Sequence, residues 1–176
     1  MKESVSIYIE QEKLEARIKE VAEQINKDYA GESVCLLCIL KGSVMFMSEL
    51  AKSIKVPVTM DFIQVSSYGS GTVSTGIVRM IKDLDASIEG KNVIIIEDIV
   101  DSGNTLSYLI KNLTLRKPKT LKVCSLLEKP SRRIATDFAV DYKCFDIDDY
   151  FVVGYGLDYD QRYRNLPYIG IVSFEE

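Results

Sequence analysis

Apolar residues recur at helical spacing near the start of the chain. Between residues 11 and 29 they fall on one helix face, with charged residues between them, at Leu14, Ile18, Val21, Ala22 and Ile25. Gly31 follows at a position where glycine commonly ends a helix. The pattern therefore predicts an amphipathic helix over residues 11–29.

Other parts of the chain are apolar throughout rather than at intervals. These runs cover residues 34–40 and 93–96, and a third strand-like run follows at 121–127. Such runs are typical of parallel strands that are buried on both faces. Helical spacing follows the first two runs, over 44–54 and at Leu106, Leu109, Ile110 and Leu113. Further strands are predicted at 57–65 and 77–81. We therefore expect an α/β fold, a mainly parallel twisted sheet flanked by helices, with ligands beyond the carboxyl ends of its strands.

The length of the chain, 176 residues, suits one domain, and the sequence contains no internal repeat. After residue 129 the strands shorten and tyrosines become frequent, which indicates a smaller lobe over the main sheet. We expect a single domain over residues 1–176.

The composition excludes several classes of protein. With 47% hydrophobic and 27% charged residues, the chain has enough apolar side chain for a core and is not disordered. The 22 basic and 26 acidic residues give a net charge of −4, so no basic field attracts nucleic acid or anionic lipid. We find neither a membrane-spanning stretch nor a secretory signal. We expect a soluble, cytoplasmic protein that binds neither nucleic acid nor membrane.

The chain contains four cysteines and no histidine. Lack of an imidazole excludes Ser-His-Asp and Cys-His hydrolysis and most zinc chemistry, so carboxylates, lysines or tyrosines must carry any acid–base work. Cys35 and Cys38 have the spacing of a redox or zinc pair, but no second such pair exists. Because all four lie mainly in apolar, strand-like segments, we interpret the cysteines as buried core residues.

The most informative chemistry lies in residues 93–105. A buried strand leads into Glu97 and Asp98, and a turn of hydroxyl and glycine residues then opens a helix. Backbone N–H groups of such a turn, together with the helix dipole, bind a phosphate. The carboxylates would repel a bare phosphate but suit sugar hydroxyls or a magnesium shell. A phosphorylated sugar suits both, because its phosphate fits the N–H groups of the turn and its hydroxyls fit the carboxylates. The alternative is that Asp101 or Ser102 only caps the helix and that the two acids are solvated.

This segment resembles the phosphoribosyl pyrophosphate signature of the type I phosphoribosyltransferases. Neighbouring motifs resemble the hypoxanthine-guanine phosphoribosyltransferase branch of that family, and they extend along nearly the whole chain, at 40–42, 65–68, 93–105, 125–129 and 149–159. The resemblance implies the family fold, with a small hood lobe formed by the N-terminal segment and roughly residues 129–176.

The resemblance also implies a purine salvage enzyme. Such an enzyme transfers the 5-phosphoribosyl group from phosphoribosyl pyrophosphate to a 6-oxopurine, hypoxanthine or guanine, and yields IMP or GMP and pyrophosphate. The implied cofactor is Mg²⁺, the implied ligands are these small molecules, and the implied assembly is a homodimer or a homotetramer.

Roles for the phosphoribosyl group follow from the matching positions. Glu97 and Asp98 match acids that hold the ribose hydroxyls and the magnesium shell. The turn that matches the 5′-phosphate site comprises Asp101, Ser102, Gly103, Asn104 and Thr105. Asp101 matches the catalytic aspartate near N7 of the purine, a general base in the forward reaction and a general acid in reverse. Ser102 and Asn104 stand where relatives often have threonine and a basic residue, so backbone N–H groups would carry more of the phosphate binding.

The remaining roles concern pyrophosphate and the purine. Pyrophosphate-binding residues match Lys41, Gly42 and Arg164. Purine-binding residues match Lys129, Phe151, Val152 and Asp158. Lys129 matches the donor to the 6-oxo group, and an ammonium, which has no acceptor, would be left unpaired by the amino group of adenine. Phe151 matches the aromatic ring that stacks on the base. Asp158 also matches a magnesium ligand, beside Glu97 and Asp98.

Residues 66–76 are small, rich in hydroxyl groups and contain three glycines, a composition typical of a mobile loop. Because water competes with the purine for the reacting carbon, the implied reaction needs a lid, and we expect Ser67 and Tyr68 to belong to it. The alternative is an ordinary hairpin tip.

Two other functions compete with this one. A non-catalytic protein with the same fold could sense the ligand in regulation, but Asp101 together with a complete purine-binding tail favours catalysis. A receiver domain also pairs acids at strand ends with a lysine, but there the acid pair follows the first strand. Preference among hypoxanthine, guanine and xanthine stays open.

Overall fold

The computed structural model describes residues 2–67 and 78–175, which form two sheets and three α-helices. The helices are α1 (Gln11–Asp28), α2 (Val44–Ser53) and α3 (Asn104–Thr114). The strands are β1 (Lys2–Ile9), β2 (Val34–Ile39), β3 (Val58–Ser67), β4 (Val78–Lys82), β5 (Asn92–Val100), β6 (Thr120–Glu128), β7 (Tyr142–Asp146), β8 (Val152–Val153) and β9 (Ile169–Glu175). A short 3₁₀ helix covers Pro130–Arg132.

The main sheet has six strands in the order β4-β3-β2-β5-β6-β7. Neighbouring strands from β3 to β7 are parallel, whereas β4 is antiparallel to β3. Ile95 lies at the centre of the sheet, beside Leu37 on one side and Val123 on the other. The predicted fold class, a mainly parallel sheet flanked by helices, is therefore confirmed.

Alternate residues of the central strands enter two separate cores. Leu36 and Cys38 pack on the face covered by α1 and α2, whereas Leu37 and Ile95 pack on the face covered by α3. This burial on both faces explains why β2 and residues 93–96 of β5 are apolar throughout. The face of α1 that the sequence predicts is buried, through Leu14, Ile18, Val21, Ala22 and Ile25.

The predicted strand at 93–96 is too short. β5 extends to Val100 because pairing with β6 includes Glu97 beside Ser125 and resumes with Ile99 beside Leu127. The acid pair therefore lies inside the last part of the strand rather than after it. Hydropathy alone could not extend the strand through two carboxylates.

The second sheet is antiparallel and has the order β1-β9-β8. It joins the two ends of the described chain, since Val5 pairs with Val172 in β9, and it continues through Val152, which pairs with Ile171. The sequence pattern did not predict β1, whose partner lies at the opposite end of the chain.

The four cysteines are free and buried, in agreement with their interpretation as core residues. Burial raises the pKa of the Cys38 thiol to about 12, and it raises the pKa of the Cys144 thiol to about 12 as well. Both thiols are therefore protonated and unreactive at neutral pH. Among the helices of the described ranges, none is both long and apolar enough to cross a membrane.

Candidate active site

The predicted site residues gather at one edge of the main sheet, because β2, β5, β6 and β7 are parallel and end there. The loop after β2 carries Lys41 and Gly42. Glu97 and Asp98 lie in the last part of β5, and Lys129 directly follows β6.

Gly42 lies in close contact with two other segments. The peptide bond between Leu40 and Lys41 is cis. A methyl group added at Gly42 would collide with the carboxylate of Asp98, and one added at Gly156 would collide with the Gly42 carbonyl. The loop after β2, the acid pair and the segment around Gly156 therefore approach one another as closely as they do only because two glycines are present.

The two adjacent acids share a partly buried position with little compensation. Glu97 Oε1 accepts from Ser43 Oγ at 3.3 Å and from the Asp98 amide at 3.1 Å. Burial, and then the neighbouring Asp98 charge, raise the pKa of the Glu97 carboxyl well above its usual value. Burial also raises the pKa of the Asp98 carboxyl, although the Arg164 charge opposes that shift. The doubly ionised form of the pair is therefore disfavoured in the free protein, and a cation at the site would stabilise it.

The turn after β5 forms a small cup at the start of α3. Gly103 adopts φ +80°, a left-handed conformation that favours glycine, and no side chain caps the helix that begins at Asn104. The amides of Ile134 and Ala135 both donate to the Ser102 carbonyl, at 3.0 and 2.9 Å, and hold the turn from behind. The cup has a volume of about 120 Å³ and is lined by Glu97, Ile99, Val100, Asp101, Ser102, Gly103, Thr105 and Leu106. Open N–H groups at a helix start suit an anion.

The predicted phosphate residues are not placed alike. Ser102, Gly103 and Thr105 line the cup, whereas Asn104 is exposed and does not. Of the acid pair, Glu97 lines the cup and Asp98 lies against Gly42 instead. The two carboxyl groups contact each other, so the acid pair connects the cup with the loop that carries Gly42.

A larger cavity of about 470 Å³ adjoins the cup. It is lined by Ile99, Asp101, Lys129, Arg132, Asp149, Phe151, Val152, Leu157 and Asp158. Lys129 is only 7% exposed, whereas Phe151 is 53% exposed and meets Tyr159 edge to face. An exposed aromatic ring beside a buried ammonium provides a stacking surface and a hydrogen-bond donor, which together suit a flat, polar ring.

Charged side chains in this larger cavity form a continuous chain of contacts. Arg132 Nε lies 2.8 Å from Asp101 Oδ1, and Arg132 Nη1 lies 3.2 Å from Asp149 Oδ2. Lys129 Nζ lies 3.3 Å from Asp149 Oδ1. Burial raises the pKa of the Asp149 carboxyl, but the hydrogen bonds and charges of Lys129 and Arg132 outweigh this and leave the pKa below its usual value. Sequence reasoning missed Arg132, and it gave Asp149 no role.

A third group of residues lies beside the acid pair. Arg164 contacts Asp158 at 2.9 Å and donates to the Gly156 carbonyl at 2.7 Å. Gln161 Oε1 accepts from Lys41 Nζ at 3.3 Å and from Arg164 Nη2 at 3.2 Å, so it joins the two cations. Lys41 and Arg164, the predicted pyrophosphate residues, are thereby brought together. Gln161 carried no signal in the sequence, because its role depends on contacts with both.

The predicted lid lies largely outside this description. The predicted start of the loop at 66 is wrong, because Ser66 and Ser67 end β3 and pair with Arg79 and Val78 of β4. Tyr68 falls outside residues 2–67 and 78–175.

Donors for a cation are present at the acid pair. In the described part of the chain, no three His, Cys, Asp or Glu residues form a cluster that could hold a metal by themselves. A magnesium ion commonly takes one or two carboxylates and completes its shell with water and substrate oxygens. Glu97 and Asp98, two adjacent carboxylates with raised pKa values, fit that type of site.

Comparisons with known proteins agree with this geometry. A family model described as the phosphoribosyl transferase domain matches residues 4–160. The chain is 48% identical over 174 residues to the hypoxanthine-guanine phosphoribosyltransferase of Streptococcus thermophilus, covering 99% of this chain and 96% of that protein. It is 50% identical to the hypoxanthine phosphoribosyltransferase of Salmonella typhimurium, covering 98% and 97%. A crystal structure of a hypoxanthine-guanine phosphoribosyltransferase from Bacillus anthracis matches with a TM-score of 0.92 at 44% identity, covering 98% of this chain and 100% of that one. The chain belongs to the phosphoribosyl transferase family.

Proposed function

We propose that this protein is a purine salvage enzyme that transfers the 5-phosphoribosyl group from phosphoribosyl pyrophosphate to hypoxanthine or guanine. The products are IMP or GMP and pyrophosphate. The observation that carries the proposal is that the anion cup and the larger cavity share two lining residues, Ile99 and Asp101. A 5′-phosphate in the cup and a purine in the larger cavity would place the ribose between them. The names of the relatives at about half identity support the same reaction.

Asp101 acts as the general base. In the forward reaction the C1′–O bond to pyrophosphate breaks, the N9–C1′ bond forms, and the proton that the purine loses from N7 passes to the Asp101 carboxylate. The position of this residue at the boundary of the two cavities supports the role.

Lys129 selects the oxopurine. Its ammonium is nearly buried and has donors only, so it binds a 6-oxo group and leaves the 6-amino group of adenine unmatched. The exposed ring of Phe151 supplies the stacking surface, and Val152 and Asp158 line the same cavity. Lys41, the Gly42 backbone and Arg164 bind the pyrophosphate and offset its charge.

Mg²⁺ is the proposed cofactor. Glu97 and Asp98 would hold it together with substrate oxygens, and Asp158 is a further candidate ligand. The ion supplies charge neutralisation of the pyrophosphate leaving group. Asp158 contacts Arg164 at 2.9 Å and accepts from the backbone N–H of Gln161 at 2.8 Å, so it would have to leave these partners to hold the ion directly.

We further propose that the whole chain is one transferase domain whose hood is the β1-β9-β8 sheet, and that Ser67 and Tyr68 belong to the lid. The proposed location is the cytoplasm, which the four free cysteines support. Self-association to a homodimer or a homotetramer is supported by a mainly apolar groove between α2 and β3, whose lining includes Val44, Met47, Val58, Met60 and Phe62.

The direct test is to incubate the protein with phosphoribosyl pyrophosphate, Mg²⁺ and, separately, hypoxanthine, guanine, xanthine or adenine, and to separate the products by chromatography. We expect IMP and GMP from the first two, no AMP from adenine, and no product without Mg²⁺. The xanthine reaction measures how far the preference extends. Binding of phosphoribosyl pyrophosphate without any nucleotide formed would support the non-catalytic, ligand-sensing alternative.

A further inference from the structure

Arg132 lies in the larger cavity but has no part in the transfer described above. Its guanidinium contacts two carboxylates, with Nε 2.8 Å from Asp101 Oδ1 and Nη1 at 3.2 and 3.3 Å from the two oxygens of Asp149. The same Asp149 accepts from Lys129 Nζ. One guanidinium thus links the proposed general base to the lysine that binds the purine.

The contact with Asp101 covers one side of that carboxylate. Asp101 Oδ1 is buried and makes no well-aligned hydrogen bond, yet the Asp101 side chain as a whole is 46% exposed. The attraction between Oδ1 and Arg132 is therefore mainly that of opposite charges, and the rest of the side chain stays open to the cavity. An acceptor that is fixed on one side and open on the other is suited to receive a proton.

The spacing between Asp101 and Lys129 matters because their targets are neighbours. N7 and O6 lie on the same edge of an oxopurine. In the proposed function, Asp101 accepts the proton from N7 while Lys129 donates a hydrogen bond to O6. A displacement of about 1 Å in either group costs catalysis heavily, since proton transfer and orientation depend on distance.

We propose that Arg132 is a positioning residue that holds the Asp101 carboxylate and, through Asp149, the Lys129 ammonium at the spacing that an oxopurine edge requires. This inference rests on the proposed function. Arg132 touches neither reacting atom; it acts through Asp101 and Asp149.

If Arg132 served mainly to stabilise the fold, its removal would lower the unfolding temperature. The Arg132 side chain is 52% exposed, and ion pairs in such positions contribute little to stability. Removal of the guanidinium should therefore leave the unfolding temperature nearly unchanged while it reduces turnover.

The experiment compares Arg132→Gln and Arg132→Lys with the wild-type protein. We expect Arg132→Gln to lower kcat about tenfold with hypoxanthine and with guanine, to raise the purine KM severalfold, and to leave the Kd of phosphoribosyl pyrophosphate within about twofold. Arg132→Lys should restore part of kcat, because an ammonium keeps the charge but cannot contact both carboxylates in the planar geometry of a guanidinium. Arg116→Gln is the matched control, since Arg116 makes a similar two-contact pair with Asp83, at 2.6 and 3.0 Å, outside the site.

A second comparison isolates the route of action. In an Asp101→Asn background, which lacks the general base, Arg132→Gln should reduce kcat by less than twofold further. An equal loss in both backgrounds, or wild-type kcat in Arg132→Gln, would overturn the proposal. These outcomes are separate from failure of the proposed function, which would appear as a wild-type protein that makes no nucleotide.

Discussion

Acidic side chains occupy two regions of the site in opposite electrostatic settings. Glu97 and Asp98 lie side by side, partly buried, and both have raised pKa values because burial and, at Glu97, the neighbouring charge disfavour ionisation. Asp101 and Asp149 line the larger cavity, and each contacts the guanidinium of Arg132. The pKa of Asp149 lies below its usual value.

The difference follows from what each region has to bind. In the proposed function a cation and a sugar would stabilise the ionised acid pair, which burial disfavours in the free protein. In the larger cavity, Asp101 and Asp149 already contact cations of the protein itself, Arg132 and Lys129. In the proposed function, the acid pair gains its opposite charge from a ligand, whereas Asp101 and Asp149 have theirs in the free protein.

The largest effect on turnover is expected when Asp101, the proposed general base of the larger cavity, is replaced. Asp101→Asn keeps the shape of the side chain but cannot take the N7 proton, so kcat should fall by about a hundredfold or more. The Kd of phosphoribosyl pyrophosphate, measured by calorimetry, should change by less than about threefold. Asp83→Asn, at an exposed carboxylate paired with Arg116, is the control and should leave kcat unchanged. Equal losses in kcat and in affinity would remove the general-base role.

A smaller effect is expected when the close approach of the loop after β2 to the acid pair is blocked. The methyl group of Gly42→Ala would collide with the Asp98 carboxylate, so we expect a loss of stability of about 1–3 kcal/mol and at least tenfold weaker binding of phosphoribosyl pyrophosphate. Both are measurable by denaturant unfolding and calorimetry.

Gly31→Ala serves as the comparison for that variant. Gly31 has φ +80° but open space around it, so an alanine there costs about 1 kcal/mol through backbone strain alone. Affinity for phosphoribosyl pyrophosphate should not change in this variant. If Gly42→Ala bound the ligand as tightly as Gly31→Ala does, the close approach of the loop to Asp98 would be irrelevant to binding.

The smallest effect concerns stability without ligand. The pKa of Glu97 is higher in the folded than in the unfolded protein, so its contribution to stability is fully present below the unfolded pKa and is lost as pH rises through the folded pKa. Glu97→Gln should therefore raise the unfolding free energy by about 1 kcal/mol at pH 8 and by nothing measurable at pH 4. A gain of the same size at both pH values would show that packing, not charge, is responsible.

Local pattern was sufficient for the elements whose burial is set by their own sequence. The helical face of α1, the apolar run of β2 and the strand-like run of β6 were predicted because their side chains alone indicate burial. β1 was not predicted, since it becomes a strand only by pairing with β9. The bounds of β5 were wrong for a similar reason, as its last residues are held by β6.

For the site, sequence resemblance indicated residues whose roles are fixed by motif, and it missed those whose roles depend on contacts across the fold. Lys129 and Phe151 fall in one cavity, as the motifs suggested. Arg132 was missed because its partners Asp101 and Asp149 come from two different strand ends. Two consecutive arginines after Lys129 do not reveal which of them turns toward the site.

The hood sheet affects the order in which the site is assembled during synthesis. The Phe151 carbonyl accepts from the Val172 amide at 3.2 Å, and Val152 pairs with Ile171, so the segment that carries the stacking ring is anchored by the final strand. Under the proposed function, a nascent chain would therefore complete its acid pair and anion cup from residues made earlier, and would gain the proposed platform for the base only when β9 has left the exit tunnel.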